Sequence, residues 1–474
     1  MTKSFIYYLM PTVTIAALSI LMVPIATYYL NAKDFGIIAI LNAITMPIGP
    51  LSSAGFSWVL SANYYKIDSE ERKAMIFNTV FLDFILKFLW VLIFWILSST
   101  MLPLVIKDYE PRYNFYFKLT LISVLLMTFW PSVSYLIVLQ KKGLIHAIFE
   151  ISQFIVGAIT AIICFTMLKM TTMTLFVGPL VTGLFSMFIC LWYMRRYVIP
   201  KLSKKWFIEV FKVGMPSIPA NLFEVLANIS DRYFIQRWTN LSQLGIYSHS
   251  LSYKNIFTMG TKAFSRTFSP CALETYSYKI DSKDLERKLK TWYGLLGIAG
   301  VFVTLFSYDI VKILTHGKFI TAAPLVPLWF LLVLSFTYGM PYTQFLFVHK
   351  KNVFMVKSGI LIGVFFIGVS AFFIYKFNMM GAVMAMVLSN FAIQLTRRVY
   401  AKKLGCEVVN EKDFLLILSL LVIIYLICSF IRIDILGKII SFLSVSIFIF
   451  YYFRLVNSFK VLSKLFYLYK FKKA

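Results

Sequence analysis

Lys254, Lys262 and Arg266 lie close together in one apolar-flanked stretch. With Asn255, Thr258, Thr261 and Ser265 they fall within an arc of about 140° on a helical wheel. Ile256, Phe257, Gly260, Ala263, Phe264 and Phe268 fill the opposite face. From Lys254 to Arg266 is about 18 Å along the helix axis. A ladder of cations with amides and hydroxyls between them suits an anionic headgroup and sugars, because Lys and Arg both bind phosphate well. The plainer reading is that long basic side chains snorkel to the membrane surface. That explains Arg266 more easily than the deeper Lys254.

The preceding stretch carries a second polar stripe. Ser217, Asn221, Glu224, Asn228 and Asp231 step by four, three, four and three residues, which keeps them on one narrow helical face. Arg232 lies beside it. Glu224 either pairs with a lysine of the next helix or takes up and releases a coupling ion. Asp231 and Arg232 either join that chemistry or anchor the helix end. Asp83 and Lys87, four residues apart, are placed to neutralise one another, and Lys118 adds a further cation. The candidate substrate-binding set is therefore Lys254, Lys262, Arg266, Asn255, Thr258, Asn221, Asn228, Arg232, Lys87 and Lys118. The candidate ion-coupling set is Glu224, Asp231 and Asp83. Ionisable groups inside a membrane are costly, so they face a bundle interior or a wet cavity.

The elements that must position these residues are apolar. The chain has 474 residues, 60% hydrophobic and 14% charged, and apolar runs of about 20 residues recur throughout, enough for a helix to cross a bilayer. Closed barrels need short alternating strands instead. The chain reads as an all-α polytopic membrane protein with about fourteen transmembrane helices, the first beginning near Phe5 and the last near Lys438. The run from Phe5 to Leu30 is too long for a signal h-region and lacks a small-residue cleavage site after it, so it reads as the first span. Lys and Arg collect in alternate loops, about 31 on one side and about 8 on the other, which places both termini in the cytoplasm. That distribution assigns the formal charge of +27 to anionic lipid rather than nucleic acid. Five dispersed cysteines and four histidines show no metal-ligand spacing. No P-loop, GxSxG elbow or HExxH pair is present, and the outer loops are too short for a catalytic domain, so no enzyme is expected.

The chain also reads as a duplication. Met10-Pro11 and Met215-Pro216 open the first and seventh spans. "DFG" ending at Gly36 and "QLG" ending at Gly245 start the second and eighth. "YKIDS" occurs at Tyr65 to Ser69 and again at Tyr278 to Ser282. The offsets are 205, 209 and 213 residues. Six spans separate equivalent helices, so the repeat is parallel, with two six-helix lobes around a central cleft. The expected organisation is an N-lobe at 1–194, a basic linker at 195–214, a C-lobe at 215–398, and two extra helices with a basic tail at 399–474. Pro11 and Pro24 in the first span, and Pro216 and Pro219 in the seventh, would kink equivalent helices beside a transport path.

Two segments carry a family resemblance. "DFGIIAILNAITMPIGPLSSAGFSWVLSANYY", from Asp34, resembles the second-helix region of Wzx-type polysaccharide flippases of the MOP superfamily. "PSIPANLFEVLANISDRYFIQRWTNLSQLGIYSHS", from Pro216, resembles their seventh and eighth helices, including the DR-(F/Y)-(F/I) and LG-x-Y stretches. The resemblance implies a flippase for undecaprenyl-pyrophosphate-linked oligosaccharide in a bacterial inner membrane, serving O-antigen, lipopolysaccharide, capsule or another exopolysaccharide. It implies alternating access, coupling to an H+ or Na+ gradient with no bound cofactor, and a polysaccharide polymerase and a chain-length regulator as candidate partners beside membrane lipids. A cation-coupled drug or metabolite exporter and a lipid II flippase on the same fold stay open. A polysaccharide polymerase is a further alternative, although it should show a large outer loop.

Overall fold

The computed structural model describes residues 2–453, apart from 53–58, 61–62, 65–66, 141, 215–217, 279–280, 350, 407–410 and 432. The described chain is helical throughout. Its helices are α1 (Thr2–Tyr29), α2 (Ala32–Thr45), α3 (Ile48–Ser52), α4 (Ser69–Val105), α5 (Arg112–Leu126), α6 (Phe129–Leu139), α7 (Gly143–Thr166) and α8 (Thr174–Met194), then α9 (Lys204–Gly214), α10 (Ile218–Trp238), α11 (Leu241–Tyr278), α12 (Lys283–Leu314), α13 (Leu325–Val348), α14 (Asn352–Lys403), α15 (Glu411–Phe430) and α16 (Ile435–Tyr452). Pro47 separates α2 from α3 because it has no N–H to continue the ladder. α14 holds two crossings that meet at Asn378, whose φ of 51° lies in the left-handed region. With α2–α3 and α5–α6 each taken as one crossing, and the short α9 set aside, the described helices make the fourteen segments expected from the sequence. Ten stretches among the described residues are long and apolar enough to cross a membrane, and the protein is a multi-pass membrane protein. α10 and α11 are the least apolar of the long helices, and they are the two that carry the polar stripes.

The chain forms two compact units, 1–248 with 366–382, and 249–365 with 383–474. In the first, α1 packs on α7, α7 on α8 and α8 on α5, while α10 packs against α2 and α3. The duplication has a physical expression here. Asn31 caps α2, its side chain accepting from the Asp34 N–H at 3.1 Å while Asp34 returns a bond to the Asn31 N–H at 2.9 Å. Asn240 sits at the matching place before α11 and accepts from the Gln243 N–H at 2.9 Å. The glycines that follow interlock. A Cβ on Gly36 would stand 1.9 Å from the Leu241 carbonyl oxygen, and one on Gly245 would stand 1.7 Å from that of Ala32. Ala32 and Leu241, like Gly36 and Gly245, are 209 positions apart, so each helix start presents its glycine to the other's carbonyl. Only glycine permits backbones to approach this closely.

The second unit is organised on α12, which packs against α13, α15 and α16. Its small residues make the room. Gly297 faces Ile417 and Ile449, and Gly300 faces Leu421 and Phe330. Close approach at small residues is the usual basis of helix association in lipid. The two YKIDS copies lie at the starts of α4 and α12. Their described parts place Asp68 and Asp281 exposed, each accepting from a nearby backbone N–H, of Glu71 at 2.7 Å and of Lys283 at 3.1 Å. Positions 65–66 and 279–280, and Met215-Pro216 with Ser217, lie outside the described residues.

Candidate functional site

In the first unit, the two motif regions of α10 and α11 meet. Asp231 is buried and accepts from the Tyr247 hydroxyl and, at 2.7 Å, from the Arg232 N–H. Tyr247 is the tyrosine of LG-x-Y and is also buried. One motif therefore holds the other, tying the end of α10 to the first turns of α11. Arg232 extends a guanidinium nitrogen to 3.2 Å from the Met46 sulfur, between α2 and α3, and its buried Nε has no hydrogen-bond partner among the described residues. Asn221, Glu224 and Asn228 lie on α10, but their side chains lie outside the described residues.

Asp83 and Lys87 are half-buried on α4 and interact electrostatically one turn apart. Lys118 on α5 places its ammonium 5.1 Å from the centre of the Trp95 ring on α4. Cations over indole faces gain about 0.5–2 kcal/mol, more when shielded from water.

In the second unit, α11 divides much as the helical wheel requires. Phe257 packs edge-on against Phe330 at 5.3 Å, Phe264 stacks on Trp292 at 4.6 Å, and Phe268 is fully buried. On the polar side, Asn255 and Lys262 are exposed, and the Thr258 hydroxyl donates to the Asn255 carbonyl at 2.8 Å. Thr261 and Gly260 depart from the pattern. Thr261, at the edge of the polar arc, is buried, and Gly260 is exposed. The buried face centres nearer Thr261 than the apolar letters alone indicate. Lys254 is half-buried, 5.2 Å above the Trp329 ring and 3.4 Å from the Met386 sulfur. The Trp329 N–H in turn donates to the Ser250 hydroxyl at 2.9 Å, one turn before Lys254. Trp329 thus supports both the helix and its cation. The Arg266 side chain lies outside the described residues.

Several charged pairings escaped the helical-wheel reading. Glu411 accepts from Arg398 through two nitrogens, at 2.6 and 2.5 Å, from Lys402 at 2.7 Å and from the Tyr342 hydroxyl at 2.8 Å. This cluster ties α13, α14 and α15 together at one end. Lys438 pairs with Asp309 at 2.5 Å, joining α16 to α12. Glu110, in the loop before α5, is held down to about 2 by hydrogen bonds from Lys33 at 2.8 Å, Tyr113 at 2.9 Å and Arg112 at 2.5 Å. Each partner is distant in sequence or set by a loop, so no single-helix periodicity announces it.

Comparison with known proteins places this arrangement. A family model described as polysaccharide biosynthesis protein matches residues 1–266. A search of curated proteins gives no significant match. Among solved structures, the chain is similar to the lipid II flippase MurJ in an inward closed conformation, with a TM-score of 0.66 and 14% identity over 97% of this chain and 98% of that one. It is also similar to a multidrug resistance MATE family transporter of the MOP superfamily. The inward-facing form gives a TM-score of 0.63 at 12% identity over 84% of this chain and 94% of that one. The outward-facing form gives 0.58 at 12% identity over 85% and 95%. The fold is that of MurJ and the MATE transporters, and the chain belongs to the polysaccharide biosynthesis protein family.

Proposed function

We propose that this protein is a flippase that moves undecaprenyl-pyrophosphate-linked oligosaccharide repeat units from the cytoplasmic to the outer leaflet of the bacterial inner membrane. The observation that carries this reading is the polysaccharide biosynthesis match over 1–266 on a chain with a flippase-like fold along nearly its whole length. The family and fold favour transport over catalysis. The product would feed O-antigen, lipopolysaccharide, capsule or another exopolysaccharide, in concert with a polymerase and a chain-length regulator. In this reading the repeats, 1–194 and 215–398, act as lobes that alternate access to a cleft between them. Lys254, Lys262 and Arg266 hold the pyrophosphate, with Lys87, Lys118 and Arg232 as further cations. Asn221, Asn228, Asn255 and Thr258 meet sugar hydroxyls. Glu224, Asp231 or Asp83 carries a coupling H+ or Na+. The half-buried cation of Lys254, backed by Trp329, supports the phosphate-binding role.

The test is the location of lipid-linked oligosaccharide in cells lacking the gene. Whole repeat units trapped on the cytoplasmic face, with no surface polymer, support the flippase. Single units exposed outside point to a polymerase, and unchanged polysaccharide points to an exporter.

One observation favours a second reading, a lipid II flippase. The MurJ match covers 97% of the chain, whereas the MATE match omits about a sixth of it, the size of the segment from 399 to the end. Loss of the gene would then arrest cell-wall synthesis and cause lysis, with surface polysaccharide unaffected.

A further inference from the structure

The basic linker is more than a tether. Between 195 and 214 it carries six basic residues and one acidic residue, Glu209. Its helix, α9, has two apolar faces. Trp206 and Val210 are buried in a cluster with Met75, Ile76 and Met194. On the other side Ile208 and Phe211 stand 55% and 40% exposed beside Lys204, Lys205 and Lys212. Burying one face and leaving apolar side chains on the other is a poor arrangement in water.

The position of α9 is fixed by the protein. Asn78, on α4 and fully buried, donates to the Lys201 carbonyl at 2.7 Å and accepts from the Ser203 N–H at 2.9 Å. This clamp holds the start of α9 beside the early turns of α4, where that span enters the apolar layer. At the end of α8, Trp192 is exposed, with the Arg195 and Arg196 guanidinium groups 5.3 and 5.8 Å from its ring centre. Exposed Leu184 and Phe188 continue its stripe along α8. Aromatic residues beside cations mark the headgroup level. Among the described residues, Lys205 alone of the linker's cations has a carboxylate partner, Glu71 at 2.5 Å.

We propose that α9 is an interfacial element that takes anionic phospholipid. Ile208 and Phe211 enter the acyl boundary, and Lys201, Lys204 and Lys212 hold headgroup phosphates. An acidic protein would answer the charge but not the two apolar side chains placed at the level where α4 and α8 leave the membrane. The inference is independent of what the protein transports.

The test uses the full-length protein in nanodiscs of phosphatidylcholine, with and without phosphatidylglycerol, and hydrogen–deuterium exchange of peptides within 201–214. Exchange should slow by about fivefold or more in the anionic discs, since even one cation at such a surface contributes about that factor. The triple variant Lys201→Gln/Lys204→Gln/Lys212→Gln, all at the surface, should lose this dependence while keeping the melting temperature. Ile208→Ser/Phe211→Ser should exchange faster in both lipids. Equal exchange of the native protein in both disc types overturns the proposal. So does a triple variant that keeps the lipid dependence, or protection that requires an added protein instead of anionic lipid.

Discussion

Alanine at Gly36 or Gly245 should drive α2 and α11 apart. The added Cβ would lie 1.9 Å from the Leu241 oxygen in one case and 1.7 Å from the Ala32 oxygen in the other, and real Cβ atoms essentially never come closer than 3.0 Å to a neighbouring heavy atom. The helices must therefore separate by about 1.1 to 1.3 Å. The obstacle is backbone, with no flexible side chain to yield, so the strain belongs at the upper end of overpacking costs, about 3 kcal/mol. Alanine gains about 1 kcal/mol over glycine in helix propensity, leaving a net loss of about 2 kcal/mol for each variant. Gly49→Ala, where nothing lies within 4 Å, should show only the propensity gain. The reciprocal contact makes a sharper demand. Once one alanine has opened the seam, the second meets little further resistance, so the double variant should cost about as much as the worse single one. Thermal unfolding of the purified protein, with both singles, the double and the Gly49 control, measures this coupling. Strictly additive losses, or a Gly36→Ala variant as stable as Gly49→Ala, would refute the interlocked seam.

Four further outcomes are expected. Asn78→Ala should cost about 2–3 kcal/mol, because the buried amide also bonds the Ala74 carbonyl at 2.7 Å. Faster proteolysis within 199–214 is the readout, and an unchanged digestion pattern counts against the clamp. Glu110, with its carboxyl lowered from 4.5 to about 2, contributes stability that is present above 4.5 and lost as pH falls toward 2. Glu110→Gln should flatten the pH dependence of unfolding in that window, and superimposable curves would show that the pairs contribute nothing. Lys254→Met should abolish surface polysaccharide at unchanged membrane level, whereas Lys254→Arg, which keeps a cation over Trp329, should retain much of it. Normal polymer from the methionine variant removes Lys254 from the mechanism. If Glu224 carries the coupling proton, Glu224→Gln should stop gradient-driven transport yet leave substrate binding intact, whereas equal loss of both indicates structural pairing.

Run length and hydropathy sufficed for the all-helical, many-span architecture, since a bilayer forces each backbone to satisfy its own hydrogen bonds over a set distance; ten of the described stretches meet that length and hydropathy, while the polar α10 and α11 do not. The 209-residue offset between "DFG" and "QLG" was equally legible in the letters. Its purpose was not. The letters do not show that Gly36 and Gly245 each receive the other helix's carbonyl, or that Asn31 and Asn240 are matching caps. The wheel on α11 foresaw the packed Phe257 and Phe264 and the buried Phe268, and misjudged Thr261 and Gly260 by a small rotation. Periodicity reports which residues share a face, but the neighbour covering that face is chosen by packing among distant helices. Trp329 beneath Lys254, Tyr247 against Asp231, and Glu411 among Arg398, Lys402 and Tyr342 are all of that kind. Local sequence determined where the chain turns polar inside the membrane. Only the tertiary structure decided which of those polar groups meet one another and which stand open.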